Sequence, residues 1–133
     1  MRSVSGVLET CVYADDLDAA SRFYGDVLGL DEFSSAPGRH VFFRCGQAMF
    51  LVFDPRRTGA SDSAVPPHGA RGPGHVCFAV REEEIDDWRN RLDRAGVTIE
   101  AEVAWPRGGR SLYVRDPAGN SVELATPTIW GLT

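Results

Sequence analysis

Gly74-His75-Val76-Cys77-Phe78-Ala79-Val80 is the stretch whose reading decides the fold, because the chain carries its outline twice. Its twin is Val7-Leu8-Glu9-Thr10-Cys11-Val12-Tyr13. Each is a short apolar run with one charged or titratable residue near its start, and each leads into a helix-like stretch. A third run, Asn120-Ser121-Val122-Glu123-Leu124, lies near the end of the chain. A charge inside an apolar strand is costly to bury unless it is paired or binds a metal. One imidazole and two carboxylates (His75, Glu9 and Glu123) can supply nitrogen and oxygen ligands to a divalent cation and leave positions open. The competing reading is three independent polar residues on wet strand faces.

Working outward, the order of elements repeats. After the first run, Asp15 or Asp16 can cap a helix in which Leu17, Ala20, Phe23, Tyr24 and Val27 recur at helical spacing, with Gly29 as the stop. Strands follow over 31–35, 39–45 and 48–53, separated by Pro37-Gly38 and Gly46-Gln47. The second run precedes a helix with Ile85, Trp88 and Leu92 on one stripe and Gly96 as its stop. Strands over 98–103, 110–115 and 120–125 complete that half, turning at 106–109 and 116–119. The expected fold is α+β: two tandem βαβββ modules, 5–53 and 73–126, forming curved, cupped mixed sheets with helices outside. Residues 54–72, rich in Pro, Gly, Ser and Ala, read as a structureless linker at the repeat boundary, made locally basic by Arg56, Arg57, His68 and Arg71.

Strand alternation sorts the faces. Glu9, Cys11 and Tyr13 share one, as do His75, Cys77 and Ala79, and Ser121, Glu123 and Ala125. His40, Phe42 and Arg44 go together in the first half, and Ser111, Tyr113 and Arg115 in the second. The opposite faces, rich in Leu, Val and Phe, suit packing under the helices. This gives a polar cavity with a carboxylate–imidazole cluster and no reaction.

Composition narrows the class. A chain of 133 residues is one domain's worth. Its hydrophobic fraction of 43% and charged fraction of 25% are those of a soluble globular protein. A net charge of −5 argues against nucleic-acid binding. No apolar run approaches a membrane span and no signal-peptide core is evident, so a cytoplasmic location is expected. Cys11, Cys45 and Cys77 read as reduced core residues, with neither disulfide nor zinc-motif spacing.

The layout resembles the vicinal oxygen chelate superfamily, which includes glyoxalase I, methylmalonyl-CoA epimerase, extradiol dioxygenases, fosfomycin-resistance thiol transferases and bleomycin-binding proteins. The resemblance covers roughly 7–126. Its most specific parts are Asp16-Leu17 through Phe23-Tyr24 to Val27-Leu28-Gly29-Leu30, then Gly74-His75-Val76, and Tyr113-Val114-Arg115-Asp116-Pro117-Ala118-Gly119-Asn120-Ser121-Val122-Glu123-Leu124. It implies a divalent metal (Fe, Mn, Ni, Zn or Mg) at Glu9, His75 and Glu123, with Glu9 where the dioxygenases and thiol transferases usually carry histidine. Aligning Gly46 with Gly119 puts the family's fourth ligand position at Phe50, which cannot bind a metal. The three-ligand pattern is therefore more similar to the dioxygenases and thiol transferases than to glyoxalase I. Ser111 and Tyr113 look like the substrate-contacting pair of the fosfomycin enzymes.

The resemblance leaves two functions open. One is a metal-dependent enzyme, a lyase, dioxygenase or transferase, acting on a small substrate chelated through vicinal oxygens. Glu123 and Tyr113 would be catalytic, and Tyr13, His40, Phe42, Phe50, Trp105, Arg110, Ser111 and Tyr113 would bind substrate. The other is a metal-free, bleomycin-resistance-like protein that sequesters an antibiotic or other natural product between aromatic walls, Trp130 included. Either way a small molecule is the partner, with no nucleic acid or membrane. A homodimer is expected, its sites shared between subunits and Ile129-Trp130 covered by the partner.

Overall fold

In the computed structural model, which describes residues Met1–Thr133, two compact units divide between Arg71 and Gly72. Each contains one βαβββ module.

In the first unit, β1 (Glu9–Tyr13) leads into α1 (Leu17–Ser21), followed by β2 (Asp31–Ala36), β3 (His40–Cys45) and β4 (Ala48–Phe53). Asp16 caps α1, its Oδ1 accepting from the Ala19 amide at 2.9 Å. The helix widens into a π-helical segment over Arg22–Val27, where the Leu28 amide reaches back to the Phe23 carbonyl. That widening keeps both Phe23 and Tyr24, consecutive in sequence, inside the core. Gly29, at φ 79°, ends it in a backbone conformation that a side chain would oppose. The strand order is β1-β4-β3-β2, with β1 parallel to β4 and the other pairs antiparallel. Tyr24 packs against Phe43 and Phe50, the latter at a ring separation of 4.7 Å. Burying each such aromatic contributes roughly 2–3 kcal/mol before the ordering entropy is counted.

In the second unit, β5 (His75–Ala79) precedes α3 (Ile85–Arg94), then β6 (Ala101–Ala104), β7 (Arg110–Arg115) and β8 (Ser121–Ala125). The order β5-β8-β7-β6 repeats the first sheet. Ile85 and Leu92 of the helix are fully buried, as are Leu112, Val114, Val122 and Leu124 on alternate strand positions. The helix stops at Gly96, φ 73°. The strand expected over 98–103 is shorter and later. Of the residues before Ala101, Glu100 donates its amide to the Tyr113 carbonyl as the sheet begins.

The segment 54–72 is not structureless. Asp54 caps a short helix, α2 (Pro55–Thr58), by accepting from the Arg56 amide at 2.9 Å, and binds the Arg56 guanidinium through both oxygens. Asp54 and Thr58 are buried. Further on, the His68 amide donates to the Thr58 carbonyl at 2.9 Å. Composition missed this because the order comes from one buried carboxylate and a distant hydrogen bond. No helix in the chain is long and apolar enough to cross a membrane.

Candidate metal centre

The second module presents His75 and Cys77 of β5, Ser121 and Glu123 of β8, and Ser111 and Tyr113 of β7 on the sheet face opposite its core. Register aligns them in rows: Cys77 beside Glu123 beside Tyr113, and His75 beside Ser121. The Asp-Pro-Ala-Gly-Asn turn fixes the start of β5. Asp116 Oδ1 accepts from the Ala118 and Asn120 amides, both at 2.9 Å, and Asn120 Oδ1 accepts from the Gly74 amide at 2.7 Å. Gly119, at φ 88°, closes that turn. Thus the most specific sequence motif ties the β7–β8 turn to the residue just before His75.

Proton directions at the site follow from donor inventories. His75 Nδ1 lies 3.1 Å from the Ser121 carbonyl oxygen, an acceptor only, so Nδ1 carries the proton. In the neutral imidazole His75 Nε2 then holds a lone pair, 3.3 Å from Glu123 Oε1. On the other side, the Trp105 indole N–H donates to Ser111 Oγ at 2.9 Å. Ser111 has one proton to give, and donates it to Glu123 Oε2 at 2.6 Å. The carboxylate is buried and the imidazole half-exposed.

Two consequences follow. First, Nε2 and Oε1 face each other as acceptors, an arrangement that repels unless a cation or proton lies at their shared edge. Second, each group is already held from behind, the imidazole by a backbone carbonyl and the carboxylate by a hydroxyl. Such outer hydrogen bonds orient metal ligands and fix the histidine tautomer. The pair therefore fits a divalent metal on chemistry and orientation. No three His, Cys, Asp or Glu side chains gather into a complete metal-binding group. Module two brings together two candidate ligands, His75 and Glu123.

Burial, then the Glu123 charge beside them, raise both neighbouring acids. The Cys77 thiol is pushed up to about 12 and stays protonated. The Tyr113 phenol is raised for the same reasons, with Ser111 opposing slightly, and keeps its proton.

Module one carries Glu9, exposed, at the first position of β1, equivalent to His75 in β5. Tyr13, His40 and Phe42 share its open sheet face, as expected, joined by Phe53 and Leu51 of β4. Three assignments made from sequence change. Phe50 points to the opposite face and is 1% exposed between Tyr24 and Phe43, so it is core and lines no site. The residue equivalent to Glu123 is Leu51: Cys77 pairs with Glu123, and Cys11 with Leu51. The Gly46–Gly119 alignment slipped by one because the β3–β4 turn is shorter than the β7–β8 turn. Arg110 also faces away; its Nε donates to Glu82 at 2.8 Å, ahead of α3. Trp105 and Ser111 keep the open face, where Trp105 donates to Ser111 and Ser111 donates to the carboxylate. Sequence reasoning missed Phe53, which β4 alternation could have supplied, and His68, for which no local signal existed.

Comparison with known proteins agrees with this architecture. The model of the Glyoxalase/Bleomycin resistance protein/Dioxygenase superfamily matches residues 6–124. The chain is 31% identical over 113 residues to the glutathione transferase FosA of Serratia marcescens, covering 82% of this chain and 72% of that protein. It is 24% identical to the fosfomycin resistance protein FosX of Listeria monocytogenes, over 95% of this chain and 92% of that one. Among solved structures, the lactoylglutathione lyase of Agrobacterium tumefaciens superposes with a TM-score of 0.95 at 45% identity, covering 98% of this chain and all of that one. The repeated βαβββ order, the matching sheet topology and these likenesses agree, and the chain belongs to the Glyoxalase/Bleomycin resistance protein/Dioxygenase superfamily.

Proposed function

We propose that the chain is a metal-dependent enzyme acting on a small oxygenated molecule bound through two adjacent oxygens. The observation that carries this reading is the His75 Nε2–Glu123 Oε1 pair, an imidazole nitrogen and a carboxylate oxygen 3.3 Å apart, each group held from behind. Glu9 is the proposed third ligand. A divalent ion there, whether Fe, Mn, Ni, Zn or Mg, would supply Lewis acidity to the bound oxygens. Within this proposal the protein's own groups have separate tasks. His75 and Glu123 hold position, while Ser111 and Trp105 keep the carboxylate aimed. Tyr113, whose phenol retains its proton, donates that hydrogen to a substrate oxygen as negative charge develops on it. Similarity to a glutathione transferase, a fosfomycin resistance protein and a lactoylglutathione lyase supports an enzyme of this kind.

Metal analysis of untagged protein purified without chelators tests the reading. One equivalent of a divalent metal per chain is expected. A protein that neither retains nor rebinds Mn or Ni would refute it. That result would favour sequestration of an aromatic natural product, the reading supported by the clustered rings of Tyr13, Phe42 and Phe53.

The proposed assembly is a homodimer in which Glu9 of one chain serves His75 and Glu123 of the other; two-fold symmetry makes both sites alike and closes the assembly. Mixing Glu9→Ala with Glu123→Ala chains should then restore one intact site per mixed dimer. No recovery after confirmed subunit exchange would rule out the shared site.

A further inference from the structure

Module one contains a cluster of rings beside Glu9 whose ligand the metal reading leaves unspecified. Phe53 sits at its centre, with the Phe42 ring 5.4 Å away, His40 6.3 Å, Tyr13 6.4 Å and His68 4.8 Å. His40 stacks flat on Phe42 at 3.8 Å, and its Nδ1 accepts from Arg39 at 2.6 Å. Beside the cluster lies a cavity of about 320 Å³ whose lining includes Leu51, Phe53, Tyr13, His68 and Glu9. That volume lies at the lower end for small-molecule pockets, enough for one ring and a substituent.

His68 enters from the segment between the modules, and its position is built. Asp54 and Arg56 anchor the start of that segment, and the His68 amide is held by the Thr58 carbonyl. Gly69 packs against Pro55, an added Cβ lying at ordinary contact distance, 3.4 Å, from the Pro55 carbonyl oxygen. The imidazole Nδ1 lies 2.7 Å from the Tyr13 hydroxyl. Burial above all, with Cys11 adding to it, pushes the Tyr13 phenol up to about 12, and the protonated hydroxyl can give or take the hydrogen of this contact according to the imidazole tautomer. With the phenol as donor, Nδ1 accepts and the tautomer that carries its proton on Nε2 is the one the contact selects.

We propose that this pocket is an aryl subsite in which His68 is the specificity-determining residue: it takes a planar aromatic group bearing a hydrogen-bond acceptor, packs the ring on Phe53 and Leu51, and donates Nε2–H to the acceptor. The subsite goes beyond the metal reading and is defined wholly by residues of the first unit.

The test uses acetophenone, whose only polar atom is an accepting carbonyl oxygen, against toluene, which has none. The chain has three histidines, so their ring-proton resonances are assignable by substitution. At about pH 8, where imidazole is ordinarily neutral, acetophenone should saturably shift the His68 resonance. It should bind about three- to tenfold more tightly than toluene, the range expected of one neutral hydrogen bond. His68→Phe should abolish that preference while retaining the ring contact. Tyr13→Phe, which frees Nδ1 and lets the imidazole turn, should reduce it. Mn affinity should be unchanged in His68→Phe, which separates failure of the subsite from failure of the metal site. No saturable shift at His68, equal affinity for the two probes, a preference that survives both substitutions, or loss of Mn binding in His68→Phe would each overturn the proposal.

Discussion

Leu51 of β4 and Glu123 of β8 occupy the same position in their modules, each opposite a cysteine of the neighbouring first strand. One repeat therefore presents an apolar floor where the other presents a carboxylate. Divergence at this position gives the modules different work, hydrophobic contact in the first and charge in the second.

Glu123 is the buried anionic ligand in the proposed centre, and Glu102 is its natural control. Glu102 lies on β6 with its side chain on the other face, paired with Arg89. Glu123→Gln should weaken Mn or Ni binding by at least about tenfold, whereas Glu102→Gln should leave it unchanged. Calorimetric titration of both variants decides the matter. Equal affinities would remove Glu123 from the ligand set.

Trp105 acts on the carboxylate through Ser111. Trp105→Phe keeps the ring but removes the indole proton that orients the serine hydroxyl, and Ser111→Ala removes the hydroxyl itself. Mn affinity should fall by about tenfold in the alanine variant and by less in the phenylalanine variant. Both should keep the near-native circular dichroism of a folded sheet. Unaltered affinity in both would mean that Glu123 needs no support from behind.

Asp54 gives a pH dependence of stability. The Arg56 hydrogen bonds hold its carboxyl below the ordinary carboxylate range, so folding favours the ionised form. A depressed folded value contributes stability that is present above the unfolded carboxyl range, about pH 3.9, and lost as pH falls through the folded value. Asp54→Asn should cost on the order of 1 kcal/mol at neutral pH. The gap from wild type should narrow below about pH 3. Urea melts at both pH values read it directly, and a gap independent of pH would show that the charge contributes nothing.

Gly109 is a position where only glycine fits. Its φ is 85°, and an added Cβ would meet Ile129 Cγ2 at 2.6 Å, the Ile129 amide nitrogen at 2.8 Å and Thr126 Oγ1 at 2.8 Å. Gly109→Ala should destabilise the chain by on the order of 2 kcal/mol or more, through backbone strain plus displacement of the turn Pro127–Trp130. Gly38→Ala, at φ 74° with nothing nearby, carries the strain alone and should cost less. Thermal melts of the two would disagree with this account if their losses were the same.

The sequence by itself determined the repeated βαβββ order, because apolar periodicity and glycine stops are local properties. Asp16 as cap, Gly29 and Gly96 as stops and the bounds of β4 and β7 were all legible from neighbouring residues. Alternation likewise placed Glu123, His75 and Tyr113 on one face, since strand parity needs no partner. An alignment across turns of unequal length carried Phe50 into the site, where only the β1–β4 register could correct it. Tertiary structure alone decided where protons lie. Which nitrogen of His75 is free depends on the Ser121 carbonyl, and which oxygen of Glu123 is free depends on a hydroxyl twelve residues away. The same holds for His68, which reaches Tyr13 across 55 residues because a buried Asp54 orders the segment between. Periodicity encodes which face a side chain takes, whereas the partner waiting there is set by contacts between distant parts of the chain.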